Sequence, residues 1–324
     1  HFMRTRQSAM TAVAVALFVT FSFVAPQFLT VVNLLDAIRA MTFVMIIAVG
    51  MTYLFIVGEF DLSLGALFGF SSMFAALLVV HGVPFWIVCL LTIFISCLVG
   101  AINAAFTLGG IPSFIVTIGM LSVLQGATLF ISAGITITLS FDFEPGFVSI
   151  ASGNVGPVPA QLLWAVGVLI VAGFVLRFTA FGHHVYATGG NERAARQSGI
   201  NVAFTKMACF VLAGGLAGMS GLLMLGWLRA ASATTGLGEF LFQAVAAAII
   251  GGVSLQGGEG SIYGTCVGAV ILALLLNGLV LVGVNPGMNI FLTGALIIGA
   301  GSLDVGLRRA VREMVRLRLR SRGT

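Results

Sequence analysis

The sequence predicts an all-α, polytopic helical membrane protein with about ten transmembrane segments. Composition carries the class: 59% of the 324 residues are hydrophobic and 8% are charged, with a mean hydropathy of +1.15. Long apolar runs carry the architecture, because a helix needs roughly 20 such residues to cross a bilayer core. The 42 glycines and 27 phenylalanines fit helices packed in lipid, where glycine admits close backbone approach and phenylalanine fills the space between helices. A transmembrane barrel would need short alternating strands, which the sequence lacks.

Ten hydrophobic segments follow in order, at 9–25, 41–57, 62–80, 84–108, 111–133, 161–177, 206–228, 239–251, 261–283 and 287–305. His1-Phe2 reads as an addition ahead of Met3, and the first run, which has no small-residue cleavage site before a polar region, reads as a retained span. The eighth run is too short to cross about 30 Å at about 1.5 Å per residue. It reads as a half-helix, or as continuing into the glycine-rich stretch after it. Cys89, Cys97, Cys209 and Cys266 lie inside apolar runs without metal-ligand spacing and read as small core residues.

Basic residues set the orientation. With the N-terminus inside, Arg4, Arg6, Arg177, Arg193, Arg196, Lys206, Arg308, Arg309, Arg312, Arg316, Arg318, Arg320 and Arg322 are cytoplasmic, while only Arg39 and Arg229 are outside. Both termini are therefore expected in the cytoplasm. The tail at 306–324 is expected to lie near anionic lipid rather than on nucleic acid. Residues 1–305 form one permeation domain. The stretch 134–160 is an acidic external loop, with Asp142, Glu144, Pro145, Pro157 and Pro159 and no basic residue.

The stretch 178–205 is the longest internal loop. Asn191 is expected to cap a short helix beginning near Glu192, whose carboxylate lies near the positive helix end. Ala194 and Ala195 keep its surface small, and Gly199 is expected to end it in the left-handed conformation. Such a helix fits a groove on a partner protein; a plain solvated connector is the alternative.

Enzymatic readings find no support. The only lysine lies in Phe204-Thr205-Lys206-Met207, so the chain has no phosphate-binding G-x-x-x-x-G-K-[ST], and H-E-x-x-H and G-x-S-x-G are also missing. His183 and His184 are adjacent and point to different faces of a helix. No catalytic residue, metal site or cofactor is expected.

Two stretches interrupt the apolar pattern. In Gly58-Glu59-Phe60-Asp61-Leu62-Ser63-Leu64-Gly65, two carboxylates fall between apolar segments, where a mid-bilayer charge costs about 2.5–3.5 kcal/mol. Asp61 and Ser63 are candidates to line the gate or pathway, with capping of the next helix as the alternative. Glu59 lies too early for that, and lines a gate or pairs with an internal arginine. In Gly251-Gly252-Val253-Ser254-Leu255-Gln256-Gly257-Gly258-Glu259-Gly260-Ser261, glycine is too frequent for a stable helix. Such backbone must be buried in protein or line a wet cavity, which makes Ser254, Gly257 and Gly258 gate candidates. The two stretches echo one another, Ile56-Val57-Gly58 against Ile249-Ile250-Gly251, as paired interruptions in transporters do. Asn103, Gln125, Thr128 and Asn277 are neutral polar side chains within spans. Asn103, Gln125 and Asn277 are candidates to line a pathway for a neutral polar solute, with interhelical hydrogen bonding as the alternative.

Four stretches, in order from about residue 40 to 305, resemble the permease subunits of bacterial monosaccharide ABC importers of the ribose/xylose/arabinose type. Gly58–Gly65 is similar to the family's G-G-x-D-L-S-x-G, and Pro112-Ser113-Phe114-Ile115-Val116-Thr117-Ile118-Gly119-Met120 to its P-x-F-I-V-T-L-G. Tyr186–Asn201 is similar to its cytoplasmic coupling segment, and Ala248–Ser261 to its G-G-x-S-L-x-G-G-x-G-S. Glu59 departs from the family's second glycine, and Glu259 stands where a basic or neutral residue is common. The resemblance implies an inner-membrane pore subunit that pairs with a second permease and receives solute from a periplasmic sugar-binding protein. It also implies a tandem-cassette ATPase, which would bind the ATP and Mg and dock on Asn191, Glu192, Ala194, Ala195 and Gly199. The alternatives are an ion-coupled secondary transporter, with Glu59 and Asp61 carrying protons, and a structural assembly subunit.

Overall fold

The computed structural model describes residues 2–139 (side chains from Gln7), 151–235, 239–285 and 287–302. Asp142, Glu144 and Pro145 of the external loop and the basic tail lie outside the described residues. The helices are α1 (Phe2–Val24), α2 (Val31–Val57), α3 (Leu64–Val80), α4 (Phe85–Leu108), α5 (Ser113–Ser132) and α6 (Ala160–Phe178). They continue with α7 (Ala180–Gly190), α8 (Glu192–Gln197), α9 (Val202–Leu228), α10 (Glu239–Ile250), α11 (Ile262–Leu281) and α12 (Gly287–Ser302). Seven of the described helices (α1, α2, α4, α5, α6, α9 and α11) are long and apolar enough to cross a membrane, and α3, α10 and α12 are shorter apolar helices. The chain is a multi-pass helical membrane protein.

Helix α2 is the axis of the bundle. Every residue from Thr42 to Val57 is buried, as expected of a helix that is apolar all round. Helix α9 packs across α2, α3 and α4, and small residues make the crossing close. A Cβ at Gly100 would strike the Phe210 carbonyl, and one at Gly214 would strike that of Ser96. Phe21 of peripheral α1, with Ala25 and Phe28 of the turn after it, packs against Leu274, Leu279 and Leu281. Phe94 on α4, Phe130 on α5 and Phe174 on α6 are exposed, the surface a hydrocarbon solvent accepts.

Two boundaries differ from the sequence expectation. The second helix starts at Val31, not at 41, because the Thr30 hydroxyl caps it by accepting from the Asn33 N–H at 3.4 Å; within it Asp36 and Arg39 pair at 3.3 Å, one turn apart. The internal stretch 178–205 is largely helical: α7 runs through it ahead of α8. Its kink at Thr179 leaves the threonine hydroxyl to cap α7 at the Gly182 N–H.

Hydrogen bonds sort the helix ends into two sets. At one end, the Gly258 N–H donates to the Ile56 carbonyl at 2.8 Å, the Phe60 N–H to the Ser113 hydroxyl, and the Gln7 amide to the Ser261 hydroxyl. At the other, Asn33 of α2 pairs with Asn277 of α11. There Arg39 also donates to Asn154, in a hairpin of β2 (Asn154–Val155) and β3 (Val158–Pro159). Beside it β1 (Ile137–Thr138) pairs antiparallel with β4 (Ala230–Ala231), so the chain after α5 folds onto the chain after α9.

Gly189 tests the packing of the first end. A Cβ there would fall on the Ile56 carbonyl and within 2.8 Å of the Gly258 nitrogen. Both neighbours are backbone, so Gly189→Ala should destabilise the purified protein by about 1–3 kcal/mol, the usual cost of overpacking. Gly119→Ala, on the exposed face of α5 with open space around it, should leave the thermal midpoint in detergent unchanged. Equal midpoints for the two variants would contradict the close approach at Gly189.

Candidate functional site

The first interruption is a closed hydrogen-bonded turn. Helix α2 ends at Gly58, whose φ of 87° is the left-handed conformation that glycine adopts without strain. The Gly58 and Glu59 N–H groups return to the Phe55 and Leu54 carbonyls at 3.1 and 2.8 Å, a Schellman ending. Asp61, Ser63 and Asn103 are all fully buried. Asp61 Oδ1 accepts from the Ser63 N–H at 2.8 Å and the Ser63 hydroxyl at 2.6 Å. Its Oδ2 accepts from the Asn103 amide at 3.0 Å, and the same amide reaches the Ser63 hydroxyl at 2.9 Å. Ser63 occupies the N-cap position of α3 but makes no side-chain cap bond, because its hydroxyl is committed to Asp61. The expected pair of caps is instead a buried network joining the turn to α4.

The second interruption repeats this geometry. Helix α10 ends at Gly252, with φ of 85°, and the Gly252 and Val253 N–H groups return to the Ile249 and Ala248 carbonyls at 2.9 and 3.0 Å. The Ser254 hydroxyl then accepts from the N–H two residues on, of Gln256, at 3.1 Å, as Asp61 does from Ser63. In space Gly58 therefore corresponds to Gly252, one residue later than the sequence echo pairs it, and the second turn is one residue shorter before its acceptor. Gly257 and Gly258 also have positive φ and approach Gly189 and Gly190. The Tyr186 hydroxyl closes the contact by donating to the Gly260 carbonyl at 2.7 Å. The two interruptions and the end of α7 thus form one backbone junction.

Helix α8 begins at this junction. Asn191 caps it by accepting from the Ala194 N–H at 3.0 Å, and Gly199 follows it with φ of 82°. Ala195 is buried, while Asn191, Arg193, Ala194 and Gly199 are exposed. The first residue of α8, Glu192, takes Arg196 on Oε1 at 2.7 Å and Lys206 on Oε2 at 2.9 Å. Hydrogen bonds from Lys206 and then Arg196 hold its carboxyl below the usual range, so the ion pairs persist at neutral pH and are lost only as pH falls through that lowered pKa. Lys206 also reaches Glu59 Oε1 at 2.6 Å. The partner of Glu59 is therefore the lone lysine, not an arginine.

The opposite end holds an open cavity of about 380 Å³ between α2, α10 and α11. Its polar lining is Asp36, Glu239, Gln243, Asn277 and Asn289, beside the indole of Trp227. The Gln243 amide donates to Glu239 at 3.1 Å, and Trp227 stacks on Phe43 with centroids 5.5 Å apart. The Asn289 Oδ1 is buried without a hydrogen-bond partner among the described residues. Carboxylate and amide acceptors around an aromatic face suit a polyhydroxylated solute. Of the three in-span candidates, Asn277 lies here. Asn103 lies in the Asp61 network, and Gln125 is half-buried on α5, away from both. Sequence reasoning missed Asp36, Trp227, Glu239, Gln243 and Asn289; the spacing of Glu239 and Gln243, one helical turn apart at the start of the short eighth segment, was the signal available.

Residues 33–301 match the family described as branched-chain amino acid transport system / permease component. The chain belongs to this permease family. It is similar to the ribose import permease protein RbsC of Haemophilus influenzae, 33% identical over 87% of this chain and 88% of that protein. It is also similar to RbsC of Bacillus subtilis, 35% identical over 87% and 88%, and to the D-allose transport system permease protein AlsC of Escherichia coli, 33% identical over 90% and 89%. No solved structure matches the chain.

In this permease the buried Asp61 network gives a direct test. Asn103→Ala removes the amide that donates to Asp61 Oδ2. A buried acceptor left unpaired costs about 1–3 kcal/mol, more when charged, so the thermal midpoint should fall. If Asn103 instead touched solute, Asn103→Ala would alter transport and leave the midpoint in place.

Proposed function

We propose that this permease is the pore subunit of an ATP-driven importer that moves a monosaccharide or sugar-like solute across a bacterial inner membrane. The junction end faces the cytoplasm, the cavity end faces a periplasmic binding protein, and two permease copies or homologues enclose the pathway. The ATPase is a separate tandem-cassette subunit that binds the ATP and Mg and seats α8. The observation that carries this reading is the junction itself: a short exposed helix begins where both chain interruptions meet the end of α7, at one end of a bundle whose other end opens into a polar, aromatic-lined cavity.

Charge supports the sidedness. Arg177, Arg193, Arg196 and Lys206 lie toward the junction end and Arg39 and Arg229 toward the other, as the positive-inside rule requires. The short α3, α10 and α12 then complete ten crossings, with the glycines of the irregular backbone at 251–261 packed against α7 and α11. The names of the relatives, for ribose and D-allose, support a sugar. Proton coupling through Glu59 and Asp61 is disfavoured, because Glu59 is held by Lys206 and Asp61 is fully bonded within the protein.

Two measurements in proteoliposomes carrying the complete importer test this. Ala194→Trp places a bulky group on the exposed face of α8. It should abolish co-purification of the ATPase while the permease still inserts, and retained ATPase would remove α8 from the contact. Gln243→Ala should leave ATPase assembly intact and lower sugar flux about fivefold, the loss expected from one hydrogen bond of about 1 kcal/mol. Unchanged flux of D-ribose and D-allose would remove the cavity from the pathway.

A further inference from the structure

Lys206 is the only lysine in the chain, and it sits between carboxylates from two different elements. Its Nζ lies 2.6 Å from Glu59 of the turn after α2 and 2.9 Å from Glu192 at the start of α8. The side chains of Lys206 and Glu59 are 14% and 9% exposed, so this pair is shielded from the solvent and salt that weaken surface ion pairs. Glu192 is 41% exposed and is fixed from its other side by Arg196. The resemblance has glycine at position 59; with glycine there, Lys206 would have Glu192 alone. Here it bridges.

The bridge has a mechanical consequence. Helix α8 is only six residues long, and it turns one buried side chain, Ala195, inward. Lys206 stands on α9: its largely buried pair with Glu59 holds α9 to the turn after α2, and Glu192 hangs α8 on the same ammonium, so a shift of α8 alone breaks the Lys206–Glu192 contact. Moving together keeps both contacts. The turn is in turn fastened to the glycine-rich stretch by the Gly258 N–H on the Ile56 carbonyl, 2.8 Å, and to α5 by the Phe60 N–H on the Ser113 hydroxyl, 3.3 Å.

We propose that Glu59 and Lys206 are positioning residues that tie α8, through Lys206 on α9, to the turn after α2, so that displacement of α8 by the ATPase moves α9 and both interruptions as one unit. The tie rests on the permease reading above and adds its route of coupling. Neither residue touches solute: Glu59 and Lys206 lie at the end of the bundle opposite the cavity. Their contribution is to the amount of solute moved per ATP hydrolysed, not to solute affinity or to ATPase docking.

The test uses the complete importer in proteoliposomes, with D-ribose, D-allose and D-galactose offered together and sugar uptake and ATP hydrolysis measured in the same sample. Glu59→Gln and Lys206→Met should each retain ATPase assembly and hydrolysis but lower sugar moved per ATP by about tenfold, within the range of coupling between distinct sites. The double variant should be no worse than either single, because both remove one tie. Lys206→Arg should restore most of the ratio. Wild-type ratios in both single variants would overturn the proposal. So would additive losses in which uptake and hydrolysis fall together with the thermal midpoint, the pattern of a purely structural pair. A wild-type complex that fails to bind the ATPase or carries none of the three sugars would overturn the permease reading itself, and the tie with it.

Discussion

A backbone that leaves the helical state inside a hydrocarbon layer finds no water to bond, so every freed N–H and C=O must find protein. That constraint shapes the junction. Each interruption first satisfies itself, with a glycine in the left-handed region returning two N–H groups to the last turn and a side-chain acceptor taking the N–H two residues on. Each then satisfies the other: the Ile56 carbonyl, freed where α2 ends, takes the Gly258 N–H. Glycine at 189 follows from the same demand, since only a residue without a Cβ lets α7 lie against that bond. The glycines are thus the cost of closing two breaks against one another rather than signs of a loose segment.

Charge obeys the same economy. Asp61 is fully buried and tolerated because three donors converge on its two oxygens. Glu59 is a few residues away yet is handled differently: it faces a cation on another helix, not donors within its own turn. One carboxylate therefore stiffens the turn and the other links it outward. This division explains how two acids so close in sequence occupy an apolar chain without sharing a site.

Much of the architecture was legible in the sequence because lipid imposes length and composition on helices directly. The apolar runs mark α3 to α6 and α9 to α12 within a few residues. What composition could not show was the start of α2 at Val31, because Asp36 and Arg39 look like loop charges until they are seen one helical turn apart. The helix at Glu192 was legible from its cap residue and its terminal glycine, both local signals. The partner of Glu59 was not: an ion pair between positions 59 and 206 leaves no periodic trace in either segment. Asn103 and Asn277 carry the same side chain in similar apolar surroundings, yet one is locked to Asp61 and the other lines the cavity. Only the tertiary packing separates them, which sets α4 against the turn after α2 at Asn103 and α11 against α2 at Asn277.

The cavity and the junction lie at opposite ends of the bundle but are built on the same helices. Helix α2 contributes Asp36 to Val44 to the cavity and Ile56 to the junction; α10 contributes Glu239 and Gln243 to one and ends at Gly252 in the other; α11 contributes Asn277 to one and begins beside Ser261. One turn from the junction, the hydroxyls of Thr52 on α2 and Thr265 on α11 bond at 2.6 Å in a fully buried contact. Gly264 and Gly268 bring α11 against the backbone of α10. A three-helix unit fastened toward both ends, by Asn33–Asn277 and by Thr52–Thr265, transmits a displacement at one end to the other, because close-packed helices slide or tilt as bodies more readily than they deform. The junction end and the cavity end are therefore two faces of one packed group.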